Sequence, residues 1–535
     1  MPTMSKSRLA ATVVAGALAA TFACTFAEAQ PFADASASRS SYATADLEPS
    51  GACDGLASFK TEGLVRLSAT AVAAEGAAPA HCRVSGVLDP AIAFEVNLPS
   101  RWNGRLYMIG NGGLAGEAPD DPGRAAQRAS ALANGFAMVS TNTGHYAREE
   151  PQGTFVLSNP QKAIDYAYRA VHLTAVTAKD VAKEYYSKPV ERAYWNSCSN
   201  GGRQGLIEAQ RYPEDFDGII ANAPWVDQTG FTVGAVWNQR AVTEQPISAG
   251  KIALVAKSVM AKCDAVDGLA DGLIDDPRQC PFHPARDVPS CPAGEDSDSC
   301  LTPAEAGTFA KIYGGPVSGG KPFFPGYMVG SEALVPGPNG TKQSGWTNLI
   351  VPGRPDAKPA DFGLGEAILR YLVFVPPQPD YDFRKFDFDR DVGLLTLWGS
   401  VANAKNPDLS KFRARGGKLI MTYGWADSIL QPMMGVHYYE RAVEANGPET
   451  RDFFRLFMVP GMAHCAGGVG PDQVDSVTAM IDWVEKGTAP DSLVARKIVD
   501  GQVTRSRPLC PYPQVARYKG EGSIDEAANF ACRAP

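Results

Sequence analysis

Two pairs of adjacent residues in this sequence are able to act together chemically: Cys198-Ser199 and His464-Cys465. Ser199 is a candidate nucleophile, His464 is a candidate general base, and each has a cysteine as its neighbour. Nucleophilic hydrolysis requires the base within hydrogen-bond reach of the hydroxyl. Ser199 and His464 are far apart in sequence. If Cys198 and Cys465 form a disulfide, that one covalent bond holds the nucleophile and the base beside each other.

The residues around Ser199 have the pattern of a nucleophile elbow, which is a strand, a sharp turn around the serine and then a helix. The apolar run 193–195 predicts the strand, and residues 203–210 predict the helix. Ser197 stands where G-x-S-x-G has its first glycine, so the motif alone is weak and the neighbouring cysteines strengthen it. Attack by Cys198 as a thiolate is the alternative. It is disfavoured because Cys465 is available as a disulfide partner.

Asp427 and His464 each follow a predicted strand, at 418–423 and 453–459 respectively. Both come after Ser199, and serine, acid, histidine is the chain order of an α/β-hydrolase. We therefore predict Asp427 as the acid that orients His464. Asp217, just behind the elbow helix, is the weaker alternative for the acid.

Glycines after an earlier predicted strand are candidates for the oxyanion hole. The backbone N–H that follows the nucleophile belongs to Asn200, and a second donor is expected from Gly112 or Gly113. Glycine permits the close backbone approach that an oxyanion requires. An ordinary turn is the alternative interpretation of this loop.

The N-terminus predicts a signal peptide over residues 1–29. Lys6 and Arg8 precede a mostly apolar stretch, and the segment 27–29 fits a small-x-small cleavage site. No later stretch reaches about 18 consecutive apolar residues, so no membrane partner is expected once the signal is removed. A net charge of −8 disfavours a nucleic-acid partner. We therefore expect a secreted or periplasmic protein.

The sequence has eleven cysteines, and removing Cys24 with the signal peptide leaves ten. An even number in an exported chain predicts disulfides. Sequence does not determine their connectivity. The shortest loops favour Cys53–Cys82, Cys263–Cys280, Cys291–Cys300 and Cys510–Cys532, which leaves Cys198 for Cys465.

Alternating strand and helix patterns at both ends of the chain predict an α/β fold, with a mostly parallel sheet and helices on both faces. Residues 30–226 and 393–535 are predicted to form this catalytic core. The intervening residues 227–392 are rich in Pro, Gly, Asp and Cys. They are predicted to form an inserted lid domain.

Aspartates in the predicted lid indicate a calcium loop. Four carboxylates within twelve residues repel one another unless a hard cation gathers them, and Ca²⁺ prefers carboxylate and carbonyl oxygens. The predicted ligands are the side chains of Asp264, Asp267 and Asp271 and the carbonyls of Leu269 and Leu273. Asp275 adds a fourth carboxylate. An acidic, solvated turn is the alternative, and no organic cofactor is expected.

The assembled residues resemble the tannase and feruloyl esterase family, most closely over Cys198–Pro224. That resemblance implies an α/β-hydrolase fold, a disulfide beside a Ser–Asp–His triad and a lid that binds calcium and forms much of the substrate pocket. By resemblance, Arg370 and Phe374 are candidate substrate residues, for a carboxylate and an aromatic ring respectively. A structural role for both in the lid is equally compatible with the sequence.

The resemblance implies a serine esterase acting on esters of aromatic acids. A hydroxycinnamate such as ferulate, possibly attached to a plant polymer, ranks above gallate esters and terephthalate monoesters, because residues 375–378 (Val-Pro-Pro-Gln) do not match the terephthalate-binding serines of relatives. A serine peptidase and an inactive hydrolase-fold binding module are the alternatives from other classes. An intact Ser199, Asp427 and His464 disfavours the binding module.

Overall fold

The computed structural model describes residues 31–42, 44–333, 335–336, 342–343, 345–354 and 357–535. The predicted signal peptide at 1–29 lies outside these residues. Among the described residues, no helix is long and apolar enough to cross a membrane.

The strands alternate with helices through most of the chain. The strands are β1 Leu64–Val72, β2 His81–Leu88, β3 Ile92–Pro99, β4 Arg105–Met108, β5 Ala137–Thr141, β6 Arg192–Cys198, β7 Gly218–Asn222, β8 Val317–Ser318, β9 Lys321–Pro322, β10 Val335–Pro336, β11 Lys342–Gln343, β12 Lys418–Gly424, β13 Phe454–Val459, β14 Gln473–Val474, β15 Leu493–Val499, β16 Gln502–Leu509, β17 Val515–Tyr518 and β18 Phe530–Arg533.

The α-helices are α1 Ala125–Ala133, α2 Phe155–Ser158, α3 Gln161–Ile164, α4 Ala170–Tyr186, α5 Asn200–Arg211, α6 Gln228–Glu244, α7 Ala249–Cys263, α8 Pro284–Asp287, α9 Pro303–Gly314, α10 Trp346–Leu349, α11 Ala360–Ala367, α12 Thr396–Ala402, α13 Ser410–Ala414, α14 Pro432–Asn446 and α15 Ser476–Lys486. Two π-helical turns, Asp165–Arg169 and Ile368–Leu372, join α3 to α4 and extend α11. Short 3₁₀ turns occur at Ala35–Ala37, Cys53–Ser58, Pro122–Arg124, Asp264–Asp267, Pro277–Gln279, Phe383–Lys385, Asp391–Leu395, Pro448–Asp452 and Ala527–Asn529.

A nine-stranded sheet with the order β1-β2-β3-β5-β4-β6-β7-β12-β13 organises the molecule. The strands from β5 to β13 in this order pair in parallel, whereas β1, β2 and β3 extend the sheet as antiparallel neighbours. Parallel strands end at the same edge of a sheet. The loops after β4, β6, β12 and β13 therefore meet at one edge, where open α/β sheets bind their ligands.

Side chains along the parallel strands alternate between two buried clusters. Leu419 and Met421 of β12 pack with residues of α4, α5 and α14, whereas Ile420 packs with residues of α1 and α15. This alternation follows from the two-residue repeat of a strand that is covered by helices on both faces. The predicted α/β core is confirmed.

The chain leaves the large sheet after β7 and returns to it at β12. In between, helices α6, α7 and α9 and the region around α10 enclose a cluster of their own, in which Trp346 is fully buried and stacks on Phe309 at 5.7 Å. A capping box between Thr302 and Glu305 begins α9. This segment corresponds to the predicted lid, whose boundaries at 227 and 392 stay predictions.

The structure pairs all ten predicted cysteines. The disulfides are Cys53–Cys82, Cys198–Cys465, Cys263–Cys280, Cys291–Cys300 and Cys510–Cys532. Four of them close short loops, as the sequence favours. The fifth joins positions 267 residues apart, at the sheet edge where the loops meet.

Candidate active site

Ser199 lies between the last residue of β6 and the first residue of α5, with φ of 64° and ψ of −125°. This backbone conformation is unfavourable for a residue with a side chain, and a nucleophile elbow requires such a turn. Two backbone hydrogen bonds hold it. The Ser199 N–H donates to the Asn222 carbonyl at 2.9 Å, and the Trp225 N–H donates to the Ser199 carbonyl at 3.0 Å.

Glycines after Ser199 allow α5 to begin against the sheet. A Cβ at Gly201 would lie 2.0 Å from the Ser197 hydroxyl, and one at Gly202 would lie 2.6 Å from the Asn222 carbonyl. The hydroxymethyl group of Ser197 therefore fits at the position of the usual first glycine because Gly201 has no side chain opposite it.

Asp427 and His464 are brought together at the edge where β12 and β13 end. The imidazole Nδ1 of His464 lies 2.7 Å from Asp427 Oδ2. The other carboxylate oxygen of Asp427 accepts the N–H groups of Ile429 and Leu430, each at 2.9 Å. The Asp427 side chain is fully buried, so these contacts fix its orientation.

The disulfide places the His464 loop against the elbow. Cys198 and Cys465 have their Cα atoms 5.9 Å apart. An imidazole nitrogen of His464 and the Cys198 sulfur lie within 4.8 Å of each other. The turn is tight, because the Ala466 N–H donates to the His464 carbonyl at 2.8 Å. Ser199, His464 and Asp427 are all buried, and the bridge joins the residue before Ser199 to the residue after His464.

The two predicted oxyanion donors in the loop after β4 differ in whether their N–H is already hydrogen-bonded. The Gly112 N–H donates to Glu117 Oε1 at 2.7 Å, so this donor is already engaged. Within the described part of the chain, Gly113 N–H has no acceptor in hydrogen-bond reach. Asn200 is the first residue of α5, so its N–H has no partner inside the helix. Gly113 and Asn200 are therefore the donors that this geometry favours.

Sequence reasoning missed two side chains that shape this loop, Gln204 and Glu117. Gln204 Oε1 accepts the Asn111 N–H at 3.0 Å, and Glu117 accepts both the Gly112 N–H and the Asn111 side-chain amide. Gln204 lies on α5, so it ties the elbow helix to the loop after β4. Glu117 had a local signal, an acid five residues beyond a glycine-rich turn, whereas Gln204 had none beyond its place in the resemblance.

The weaker alternatives have structural partners elsewhere. Asp217 accepts the Ala193 N–H at 2.8 Å and pairs with Arg415, so it secures the start of β6. His172 lies on α4, with Nδ1 2.6 Å from Asp215 Oδ2 and its ring stacked on Tyr212 at 3.9 Å. These contacts account for both residues without a role in ester cleavage.

The aspartate loop is compact and faces the C-terminal strands. Asp264 accepts the N–H groups of Asp271 and Gly272, at 3.1 and 2.9 Å, and Asp267 accepts that of Leu269 at 2.9 Å. The Asp271 carboxylate contacts Arg507 of β16. Burial raises the pKa of the adjacent Asp275 to about 7, and the neighbouring Asp267 carboxylate adds to this rise.

Arg370 and Phe374 lie in and just after the π-helical turn Ile368–Leu372. Arg370 pairs with Glu366 at 2.9 Å, and its Nε donates to the Tyr381 carbonyl at 3.3 Å. Phe374 packs against the Tyr381 ring with centroids 5.0 Å apart. Glu366 also pairs with Lys358, so this one carboxylate serves two cations.

A residue of α11 reaches the loop after β4. A Cβ added to Gly113 would lie 3.7 Å from the Leu364 side chain, which is ordinary van der Waals contact. Leu364, in the segment between β7 and β12, therefore lies beside the candidate oxyanion loop.

Known proteins resemble this chain over most of its length. A family model described as tannase and feruloyl esterase matches residues 76–533. The chain is 33% identical over 531 residues to mono(2-hydroxyethyl) terephthalate hydrolase of Piscinibacter sakaiensis, covering 88% of this chain and 87% of that protein. It is also 33% identical over 462 residues to a probable feruloyl esterase of Arthroderma benhamiae, covering 81% of each.

Solved structures of a feruloyl esterase and a tannin acyl hydrolase also resemble this chain over most of its length. Feruloyl esterase B from Aspergillus oryzae matches with a TM-score of 0.76 and 28% identity, covering 90% of this chain and 99% of that one. A tannin acyl hydrolase from Aspergillus niger matches with a TM-score of 0.70 at 20% identity, covering 93% and 95%, and supports the fold alone. The predicted α/β-hydrolase fold is confirmed.

Proposed function

We propose that this chain, which belongs to the tannase and feruloyl esterase family of carboxylic ester hydrolases, cleaves esters of aromatic acids through Ser199, His464 and Asp427. The observation that carries the proposal is the geometry of His464. Its imidazole is held by Asp427 at 2.7 Å on one side, and the disulfide beside it leads directly to Ser199.

In the proposed mechanism His464 takes the proton of the Ser199 hydroxyl as the oxygen attacks the ester carbonyl. Asp427 holds the imidazole in the tautomer that accepts this proton and stabilises the imidazolium that forms. The Gly113 and Asn200 N–H groups stabilise the negative charge on the carbonyl oxygen. His464 then protonates the leaving alkoxide, and a water activated by the same imidazole hydrolyses the acyl-enzyme.

For the substrate we propose a hydroxycinnamate ester such as a ferulate, free or attached to a plant polymer. The ion pair between Arg370 and Glu366 supports this choice, because an arginine that binds a second carboxylate on the substrate would first have to leave its lid partner. The first relative described above acts on a terephthalate monoester, so that substrate is the second candidate, with gallate esters after it.

We also propose that the lid loop binds one Ca²⁺ through the side chains of Asp264, Asp267 and Asp271 and the carbonyls of Leu269 and Leu273. These are the oxygen donors that Ca²⁺ takes, and Asp271 would have to exchange its contact with Arg507 for the ion. Of the described donors, none reaches the Leu269 or Leu273 carbonyl, so both oxygens stay available. A cation would also offset the crowding of these carboxylates. Its role would be to stabilise the lid, and Ser199 and His464 perform the bond cleavage.

The proposed location is outside the cytoplasm, either secreted or periplasmic. Five disulfides support it, because such bridges persist in oxidising compartments. The signal peptide over 1–29 remains a prediction from the sequence.

The test is a panel of esters assayed with purified protein: methyl ferulate, methyl gallate, a terephthalate monoester and a peptide anilide. We expect the highest kcat/KM with methyl ferulate and no measurable hydrolysis of the peptide anilide. Ser199→Ala should lower turnover by roughly 10⁴-fold or more. Ser197→Ala, which removes a hydroxyl two residues away, is the matched control and should have a mild effect. Near-normal turnover by Ser199→Ala would reject the nucleophile, and a preference for another ester would reassign the substrate.

A further inference from the structure

A buried tyrosine lies behind the two candidate oxyanion donors. Tyr166 belongs to the π-helical turn Asp165–Arg169 and is fully buried. Turns of this kind interrupt α-helices most often at functional sites. In sequence, residues 163–186 have the pattern of one continuous helix, and nothing in that pattern distinguishes Tyr166.

The hydroxyl of Tyr166 connects three segments of the chain. It lies 3.1 Å from the Gly113 carbonyl and 3.2 Å from Asn200 Oδ1, and it accepts the side-chain amide of Gln228 at 2.8 Å. Gly113 is in the loop after β4, Asn200 begins the elbow helix, and Gln228 begins α6. Gly113 and Asn200, which the hydroxyl contacts, are also the two residues whose backbone N–H groups are candidate oxyanion donors.

We propose that Tyr166 is a positioning residue that sets the geometry of the oxyanion hole and connects it to α6, an inference that rests on the proposed esterase function. The two donors come from separate segments. Gln204 and the Asn200 side-chain amide join the elbow helix to Asn111, and Tyr166 is the side chain that reaches the Gly113 carbonyl itself. The Tyr166 hydroxyl lies within hydrogen-bond distance of an oxygen from each segment and shares its one proton between them, so it restricts their separation. Donors aligned in advance are what an oxyanion hole requires, because realignment during the reaction would cost free energy.

Neighbouring side chains hold the tyrosine in place independently of its hydroxyl. Arg203 stacks its guanidinium over the Tyr166 ring at 5.1 Å and donates to Asn200 Oδ1 at 2.7 Å. Phe155 and Trp398 pack against the same ring, with centroids 5.6 and 6.3 Å away. Phenylalanine at this position would keep these ring contacts, so Tyr166→Phe isolates the contribution of the hydroxyl.

The expected result for Tyr166→Phe is a fall in kcat of about 10-fold to 100-fold with KM changed less than threefold. Deleting one oxyanion donor outright costs about 10²–10³ in kcat. Here the donors are retained and lose only their alignment, so the fall should be smaller. KM should change little because the hydroxyl does not face the substrate.

Tyr186→Phe is the matched control. Tyr186 ends α4, is buried, and donates its hydroxyl to the Pro99 carbonyl at 2.6 Å, at the end of β3. Its loss should lower the Tm by an amount comparable to that of Tyr166→Phe while kcat stays unchanged. A purely structural role for Tyr166 predicts instead that both variants behave alike.

Labelling of Ser199 by a fluorophosphonate distinguishes a failure of the Tyr166 inference from a failure of the proposed esterase function. The phosphoryl oxygen occupies the oxyanion hole as the serine attacks, so the labelling rate reports the hole without any choice of ester. No labelling of the wild-type protein would contradict the proposed function. Normal labelling and normal kcat in Tyr166→Phe, with a labelled wild type, would overturn the role of Tyr166.

A second variant keeps the test decisive if Tyr166→Phe does not fold. Gln228→Met removes the amide that donates to the Tyr166 hydroxyl and keeps the volume of the side chain. We expect kcat to fall about threefold, with KM nearly unchanged, because the hydroxyl keeps its acceptors but loses the donor that polarises it and connects it to α6. An unchanged kcat in a folded Gln228→Met protein would also overturn the proposal.

Discussion

Removing the disulfide between Cys198 and Cys465 should impair catalysis as well as lower stability. The bridge closes a loop of 267 residues, which in the chain-entropy model contributes about 5.6 kcal/mol by restricting the unfolded state. Without it, His464 keeps its contact with Asp427 at 2.7 Å, but the His464 loop loses its covalent attachment to the elbow. A shift of about 1 Å between nucleophile and base costs about 100-fold in rate. We therefore expect Cys198→Ala/Cys465→Ala to lose about 99% of its kcat at a temperature where it stays folded.

The assay compares this double variant with a disulfide removed elsewhere. Cys53 and Cys82 close a loop of 29 residues beside the antiparallel strands, worth about 3.5 kcal/mol in the same model. Cys53→Ala/Cys82→Ala should therefore lose stability and keep its kcat. Circular dichroism would show at which temperature both variants are folded, and kcat for the best ester would be measured there.

Two results would refute the reasoning. One is a folded Cys198→Ala/Cys465→Ala protein whose kcat lies within about threefold of the wild type, because His464 would then be held by other contacts alone. The other is non-reducing peptide mapping of active protein that recovers Cys198 or Cys465 as a free thiol.

Three further predictions concern single sites. Asp427→Asn should lower kcat by roughly 10³–10⁴-fold, measured with the best ester, because His464 then loses the carboxylate that selects its tautomer; a kcat within tenfold of the wild type would reject Asp427 as the acid. Chelation should lower the Tm by thermal scanning, because an ion that binds only the folded state stabilises it, and Asp264→Asn/Asp271→Asn should lose this response; an unchanged Tm, with no calcium found in the purified protein, would reject the site. Burial raises the pKa of Asp361 to about 7, so the stability it contributes is present below pH 3.8 and is lost as the pH rises through about 7. Relative to wild type, Asp361→Asn should therefore gain unfolding free energy from pH 4 to 7, by about 1.4 kcal/mol per pH unit at most in urea titrations, and a constant difference would contradict this.

The elements that surround Ser199 were predictable because their signals are local. The apolar run before it and the glycines after it predict a strand, a turn and a helix, and β6 and α5 are present with slightly wider bounds, Arg192–Cys198 and Asn200–Arg211. The predicted strands before Asp427 and His464 are confirmed in the same way as β12 and β13. Once these strands pair in parallel, their following loops must share one edge.

Contacts that depend on the tertiary structure were not predictable. Gly112 and Gly113 are equivalent in sequence, and only the position of Glu117 shows that the Gly112 N–H is already engaged. Tyr166 lies in an apolar helical pattern, and nothing in that pattern indicates that its hydroxyl reaches Gly113 and Asn200. The extension of the sheet by β1, β2 and β3 was also missed, since their alternation does not reveal which strand they join.

The sheet edge explains which loops meet, and separate contacts are needed to explain how the loops are aligned. Loops are more mobile than the strands that carry them, whereas ester cleavage requires alignment within a fraction of an ångström. Each loop has its own anchor. Backbone bonds to Asn222 and Trp225 hold Ser199, the disulfide and Asp427 hold His464, and the hydroxyl of Tyr166 holds Gly113. Two of these anchors meet at the elbow, because Tyr166 contacts Asn200 and the disulfide begins at Cys198, two residues earlier. A variant that combines Tyr166→Phe with Cys198→Ala/Cys465→Ala should therefore lower kcat by less than the product of the two separate factors.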